Sequence, residues 1–259
     1  MPMIDTHMIL TLAGIALVGS LIGLDRTAAG QFMISQPIVA SPLVGWLLGD
    51  TLAGIMIGAC LELIWVLDMP IGSFVPADAT ICAVSATAIA ALGSPGGAPL
   101  PVIGFSILLT TAMVPVTMKA DDFIRHWNSR LADAVMAGPG PLDGHAIARA
   151  HLAGLTVFYV KFFVLYLIFI PAGIVAVAVF MRLPDHAHRA MSLFVKLLPL
   201  IGVALVARKF TMKTIDVFLL GGFLFAFAAA GIFHAPALLI VLLIVAGGWL
   251  GARYSERRA

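Results

Sequence analysis

The stretch that decides the fold is QPIVASPLVGWLLGDTLAGIMIGACLELIWVLDMPIGSFVPADA, residues 36–79. It is apolar enough for a membrane interior, yet it carries Asp50, Glu62, Asp68 and Asp78. A carboxylate in hydrocarbon is expensive on any scale. Acids in such sequence therefore point to a polar cavity, a bundle interior covered by protein, or short turns at the interface. Gly54, Gly58 and Glu62 fall at i, i+4 and i+8, which on a helix makes a stripe of small residues leading to one carboxylate. A second helix can approach that stripe closely while Glu62 stays inside. Trp65 lies one turn further on much the same face. A carboxylate beside an aromatic ring suits a sugar, with acceptor oxygens for hydroxyls and an apolar plate for C–H faces. The same ring equally serves as packing or as an interfacial anchor.

Beyond Trp65 the helix cannot continue cleanly, because Pro70, Gly72 and Pro76 crowd into residues 69–79. Non-helical backbone at membrane depth survives only where protein or a wet cavity satisfies its polar groups, and such segments in transporters often hold substrate. Asp78 follows the break and sits before the next apolar run, residues 79–92. There it either contacts a ligand or caps the helix, since a helix N-terminus favours a carboxylate.

Composition sets the wider frame. Of 259 residues, 61% are hydrophobic and 11% charged, and the mean hydropathy is +1.08. These values belong to an all-α, polytopic integral membrane protein rather than a soluble domain. The net charge of +2 is accounted for by membrane topology, so no nucleic-acid partner is implied. Cys60 and Cys82 stand in apolar runs, where free, packed thiols are expected. The N-terminal segment lacks a basic n-region and a small-residue cleavage site, so no removable leader is expected.

In chain order, residues 8–24 form a first apolar run ending at Asp25-Arg26, expected to be a local ion pair. A broken or short helix should follow from Pro37 to about Asp50, with Gly45 and Gly49 offering another small-residue face. GSPGGAPLP, residues 93–101, makes a turn, and residues 102–118 form a membrane segment kinked by Pro115. The longest polar interval is 119–151, of which 121–136 reads as an amphipathic helix. Residues 152–181 span again and contain Lys161; residues 182–189 make a polar turn, and residues 193–207 return. Arg208, Lys209 and Lys213 form a basic loop before a hairpin at 216–231 and 235–251. The organisation expected is a single transmembrane domain, 1–259. Within it, 1–118 is a broken-helix half carrying the site, 119–151 a cytoplasmic amphipathic segment, and 152–259 a helical half. The basic loop and the basic tail share a face, which the positive-inside rule makes cytoplasmic, so the C-terminus and residues 119–151 face the cytoplasm.

Lys161, about three turns into a span, must line a cavity facing Glu62 or Asp78, form a structural ion pair, or snorkel. His126, His145, His186 and His188 fall in polar intervals and are expected to be solvated; His151 ends the 119–151 interval. No metal-ligand spacing, nucleophile elbow, P-loop or dinucleotide fingerprint is present. The residues therefore point to translocation or binding, with no metal and no cofactor.

Several pieces together resemble the membrane subunit IIC of the mannose/fructose/sorbose family of the bacterial sugar phosphotransferase system. They are LDR at 24–26, QP at 36–37, GWLLGDTLAGIMIGACLEL at 45–63, MPIG at 69–72 and PADA at 76–79. The likeness is dense from about residue 24 to 90 and diffuse afterwards, where HLAGL at 151–155 and Lys161 continue it weakly. The resemblance implies a bacterial inner-membrane protein that carries a hexose-like sugar beside a second membrane subunit, IID. Cytoplasmic IIA and IIB would relay phosphate to the sugar, with IIC carrying no phosphorylated residue and the assembly being oligomeric. It places the family's glutamate at Glu62 and its aspartate at Asp78, and the substrate-binding set expected is Glu62, Trp65, Asp78 and Lys161. Two departures stand out: Pro70 replaces a common Asn, and Pro76-Ala77-Asp78 replaces Ala-Pro-Asp. The first removes an amide that could meet a hydroxyl, and the second changes the backbone beside Asp78. A non-transporting scaffold that recruits phosphotransferase proteins through residues 119–151, and an ion-coupled transporter, are the alternative readings.

Overall fold

A computed structural model describes residues 6–26, 28–65, 77–137 and 144–210, with side chains omitted at 203 and 205–210. Two compact units are present, residues 1–202 and 203–259; of the second, only the end of the last helix is described. The described residues are helical throughout, without strands: α1 (Thr6–Leu24), α2 (Pro37–Leu47), α3 (Thr51–Trp65), α4 (Ala79–Gly93), α5 (Leu100–Ala112), α6 (Val114–Met136), α7 (Gly144–Phe180) and α8 (Asp185–Phe210). The all-α membrane architecture read from composition is therefore the one observed. The hairpin at 216–251, the basic tail and Asp68 lie outside the described residues.

By length and composition, α1 and α7 can each cross a membrane, and α5 with α6 make a third crossing if the bent pair is one span. At 1.5 Å per residue, α2, α3 and α4 reach only about 16–23 Å, short of the roughly 30 Å of hydrocarbon. These are the broken helices the prolines and glycines foretold. Every residue of α4 from Ala79 to Ala91 is buried. Its run of Ala, Ser, Thr and Cys lets α2, α3, α5 and α7 close around it, as a helix without a polar face requires. Cys82 and Cys60 are both free and buried, and the Cys82 thiol donates to the Thr110 carbonyl on α5 (3.4 Å).

Sequence and structure differ at several joints. Pro115 does not kink one long helix: Met113 ends α5 and caps α6, the two bent by 40°. Proline then occupies the first turn of α6, where a missing N–H costs nothing. Asp25 is not engaged with Arg26; its carboxylate accepts from the Phe32 N–H (2.6 Å) and the Ser35 N–H (3.1 Å), tying down a loop with positive φ at Gly30, Gln31 and Met33. His188 is not merely solvated, since its ring meets Phe180 edge-on and contacts that residue's carbonyl oxygen. Residues 185–189 and Arg208-Lys209, read as loops, belong to α8.

Gly49 also differs from its expected packing role. It adopts φ +79° with nothing within 4 Å of a would-be Cβ, so it serves the α2–α3 turn. Asp50 completes that turn: one oxygen accepts from Ala53 N–H (3.1 Å) and the other from Ala98 N–H in the α4–α5 connection (2.7 Å). Gly49→Ala should cost about 1–2 kcal/mol through backbone conformation alone, read as a lower unfolding midpoint in detergent. An unchanged midpoint would mean that the turn can relax.

Candidate functional site

The glycine stripe does what its spacing predicts. A Cβ on Gly54 would lie 2.5 Å from the Ser41 carbonyl oxygen, and one on Gly58 2.6 Å from that of Pro37, so α2 and α3 touch backbone to backbone. One turn on, Glu62 Oε2 accepts from the Ile38 N–H (3.2 Å) at the start of α2. That N–H is among the first four of a helix, which have no partner within it, and the helix dipole favours the negative charge there. The same α2 entrance is held from two other sides. Thr80 donates to the Ser35 carbonyl (2.9 Å), and Asp25 holds the Ser35 N–H. Glu62 thus reaches from α3 to the start of α2, with Trp65 half-buried against the apolar core one turn away.

The second group is ionic. Asp78, only 7% exposed, precedes α4 and accepts from Ile81 N–H (3.3 Å), so the capping reading of this residue holds. Its other oxygen faces Lys161 Nζ at 3.4 Å. Lys161, also 7% exposed, reaches it from α7, lies over the Phe162 ring at 3.9 Å, and forms its shortest contact, 2.7 Å, with Asp121 Oδ1. Asp121 Oδ2 is held in turn by Arg125 Nε at 2.9 Å. Two carboxylates and two cations from three elements thus make a charge-balanced network. Neutralising charge inside protein is how a spanning helix tolerates lysine.

Of the four residues expected at the site, Asp78 and Lys161 are brought into contact, whereas Glu62 and Trp65 lie on α3 with contacts of their own. Of the two acids expected to face Lys161, Glu62 and Asp78, the one in contact with it is Asp78. The residue the sequence reading overlooked is Asp121, placed there within a polar cytoplasmic interval. Thr117, Asp121 and Ile124 fall at i, i+4 and i+7 and are the buried face of α6; that spacing was the available signal. Nearer the far end of α6, a groove of about 520 Å³ between α6 and α7 is lined by Asn128, Leu131, His151 and Phe158, among others, and by none of the four expected residues. One Asn128 amide hydrogen meets the Gly154 carbonyl (3.4 Å), while its Oδ1 is buried with no partner among the described residues.

Short helices around a fully buried α4, with ionised groups neutralised inside protein, define an integral membrane protein of the broken-helix kind. Residues 8–247 match the family described as the sorbose-specific IIC component of the phosphotransferase system (EII-Sor). The chain belongs to that family and is a IIC-type membrane component of a sugar phosphotransferase system. Over 76 residues it is 34% identical to the "Putative N-acetylgalactosamine permease IIC component 2" of Escherichia coli (strain K12). That match covers 29% of this chain and 56% of the permease, so it spans about half the length of that relative. Among solved structures, one described as "Structure of membrane protein" superposes with a TM-score of 0.62 at 21% identity, over 97% of this chain and 96% of the other. A chain of the "CryoEM Structure of Mannose Transporter ManYZ and Microcin E492 (MceA) complex" superposes at 0.55 and 20% identity, with the same coverage. Both establish the likeness of fold.

Proposed function

We propose that this chain is the sugar-translocating subunit of its phosphotransferase system. It would bind a hexose-like sugar in a polar site at membrane depth to which Glu62, Trp65, Asp78 and Lys161 contribute. The observation that carries the reading is the Asp78–Lys161 pair: a buried acceptor and a buried donor side by side, directly after the proline-rich segment, in a chain of the IIC family. A sugar hydroxyl donates to one and accepts from the other. Glu62, on the α2 entrance, supplies a second acceptor, and Trp65 an apolar face. The partners on this reading are IID in the membrane and IIA and IIB in the cytoplasm, within an oligomeric assembly in the bacterial inner membrane. The C-terminus and the 119–151 interval would face the cytoplasm.

The test is uptake of labelled mannose, fructose, sorbose and N-acetylgalactosamine by cells expressing the chain with its companion subunits. Glu62→Gln and Asp78→Asn should each lower uptake by about tenfold or more, the scale of one lost charged hydrogen bond, at unchanged amounts of protein in the membrane. Full uptake by both variants would refute the site. The groove between α6 and α7 supports the second reading, a scaffold for phosphotransferase proteins, because it lies largely on the 119–151 interval and its approaches. Failure of the purified wild-type protein to bind any of the four sugars would favour that reading.

A further inference from the structure

We infer that Asp121, clamped by Arg125, is the positioning residue of the site: it is the fixed counter-ion of Lys161 and leaves Asp78 free to meet a ligand. The argument rests on how each carboxylate oxygen is used. Asp121 receives a charged donor on both oxygens, Lys161 at 2.7 Å and Arg125 at 2.9 Å, and these are the distances of full-strength charge-assisted bonds. Asp78 receives a backbone N–H at 3.3 Å and the same ammonium at 3.4 Å, both near the outer limit of a hydrogen bond. Asp121 is the more tightly held of the two, and Asp78, whose two contacts are both long, is the one a ligand can engage. The Phe162 ring, 3.9 Å from Nζ and joined to it by cation–π attraction, holds the ammonium from another side. Arg125 and Lys161 both lie within 6 Å of the Phe158 ring, at 5.9 and 5.3 Å, so the cation pair is braced against one aromatic wall.

The chemical consequence concerns vicinal hydroxyls. An ammonium held by Asp121 keeps donors for a ligand oxygen, because a lysine has three. Asp78 beside it can accept a hydrogen bond from a neighbouring hydroxyl. A ligand carrying adjacent hydroxyl groups would therefore insert between Asp78 and Lys161, lengthening a contact that is already long, while the 2.7 Å contact stays intact. Arg125, the more exposed of the two cations, makes the clamp through Asp121 alone and need not touch the ligand. The part of this inference that concerns the ligand rests on the sugar site proposed above; the part that ranks the two carboxylates does not.

Two double-mutant cycles on the full chain, purified in detergent and read as unfolding midpoints, test the ranking: D121N with K161M, and D78N with K161M. Strong coupling in the first and weak coupling in the second is expected; equal or reversed coupling overturns the assignment. Should K161M fail to accumulate, the single variants decide, since D121N must lower the midpoint more than D78N. In cells, D121N should raise KM for whichever of the four sugars the wild type transports by about tenfold, leaving the maximal rate within about twofold, and D121E should restore KM. A fall in maximal rate at unchanged KM would overturn the positioning role. Full uptake by D78N would instead defeat the proposed sugar contact while leaving the cycles to rank the carboxylates.

Discussion

Lys161→Met is expected to lower the stability of the purified protein by about 3–5 kcal/mol, the cost of breaking a buried charge pair by removing one partner, and to abolish uptake. The methionine stem matches that of lysine closely, so little of the loss comes from an empty space. It comes from the acids left behind. Asp121 loses its 2.7 Å partner and keeps Arg125 on one oxygen only, with its side chain 11% exposed, whereas Asp78 loses a contact of 3.4 Å. Because the deficit arises from orphaned charge, adding Asp78→Asn and Asp121→Asn to Lys161→Met should restore part of the stability while leaving uptake abolished. Lys119→Met, at an exposed position, is the control and should stay within about 0.5 kcal/mol of wild type. Unfolding in mixed detergent micelles reads all of these. Wild-type stability in Lys161→Met would show that the ammonium contributes nothing where it lies.

Much of the N-terminal half was legible because its signals are local and steric. Proline and glycine positions foretold short helices, and the Gly54–Gly58 spacing foretold a helix packed closely on α3. Long-range partners were legible only as alternatives: Lys161 was expected against Glu62 or Asp78, and nothing local chose between them. The α2 backbone that meets Glu62 lies 24 residues away in the chain, and the α7 lysine that meets Asp78 lies 83 away. The reading of Asp25 failed for a related reason. Adjacent charges at a helix end suggested a mutual pair, whereas the loop after α1, with positive φ at Gly30, Gln31 and Met33, brings backbone N–H groups to the carboxylate. Asp121 was lost through averaging: grouped with a polar interval, it was not weighed singly. The break at Met113 starts α6 early enough to turn Thr117, Asp121 and Ile124 inward. Polarity averaged over a window hides a single buried face, and helical spacing recovers it.

The second large effect is expected at the α2–α3 contact. A Cβ on Gly54 meets the Ser41 carbonyl oxygen at 2.5 Å and the Pro42 Cα at 3.0 Å, both backbone atoms that no rotamer change can move. Gly54→Ala must therefore push the helices apart, at a cost of about 1–3 kcal/mol for overpacking, and Gly54→Leu should prevent accumulation in the membrane. Intrinsic propensity argues the opposite, since alanine is favoured over glycine inside a helix by about 0.8–1.0 kcal/mol. Gly14→Ala, on α1 with nothing within 4 Å, should show that gain and raise the unfolding midpoint. The two substitutions are chemically identical and opposite in sign, so their comparison isolates the close approach. Separation of α2 from α3 also draws the Ile38 N–H away from Glu62 across their 3.2 Å contact. Gly54→Ala should accordingly lose uptake beyond what its residual folded population explains, with Glu62 itself unchanged. If Gly54→Ala were as stable and as active as wild type, α3 could shift along α2 without consequence, and the placement of Glu62 would not depend on the glycine stripe.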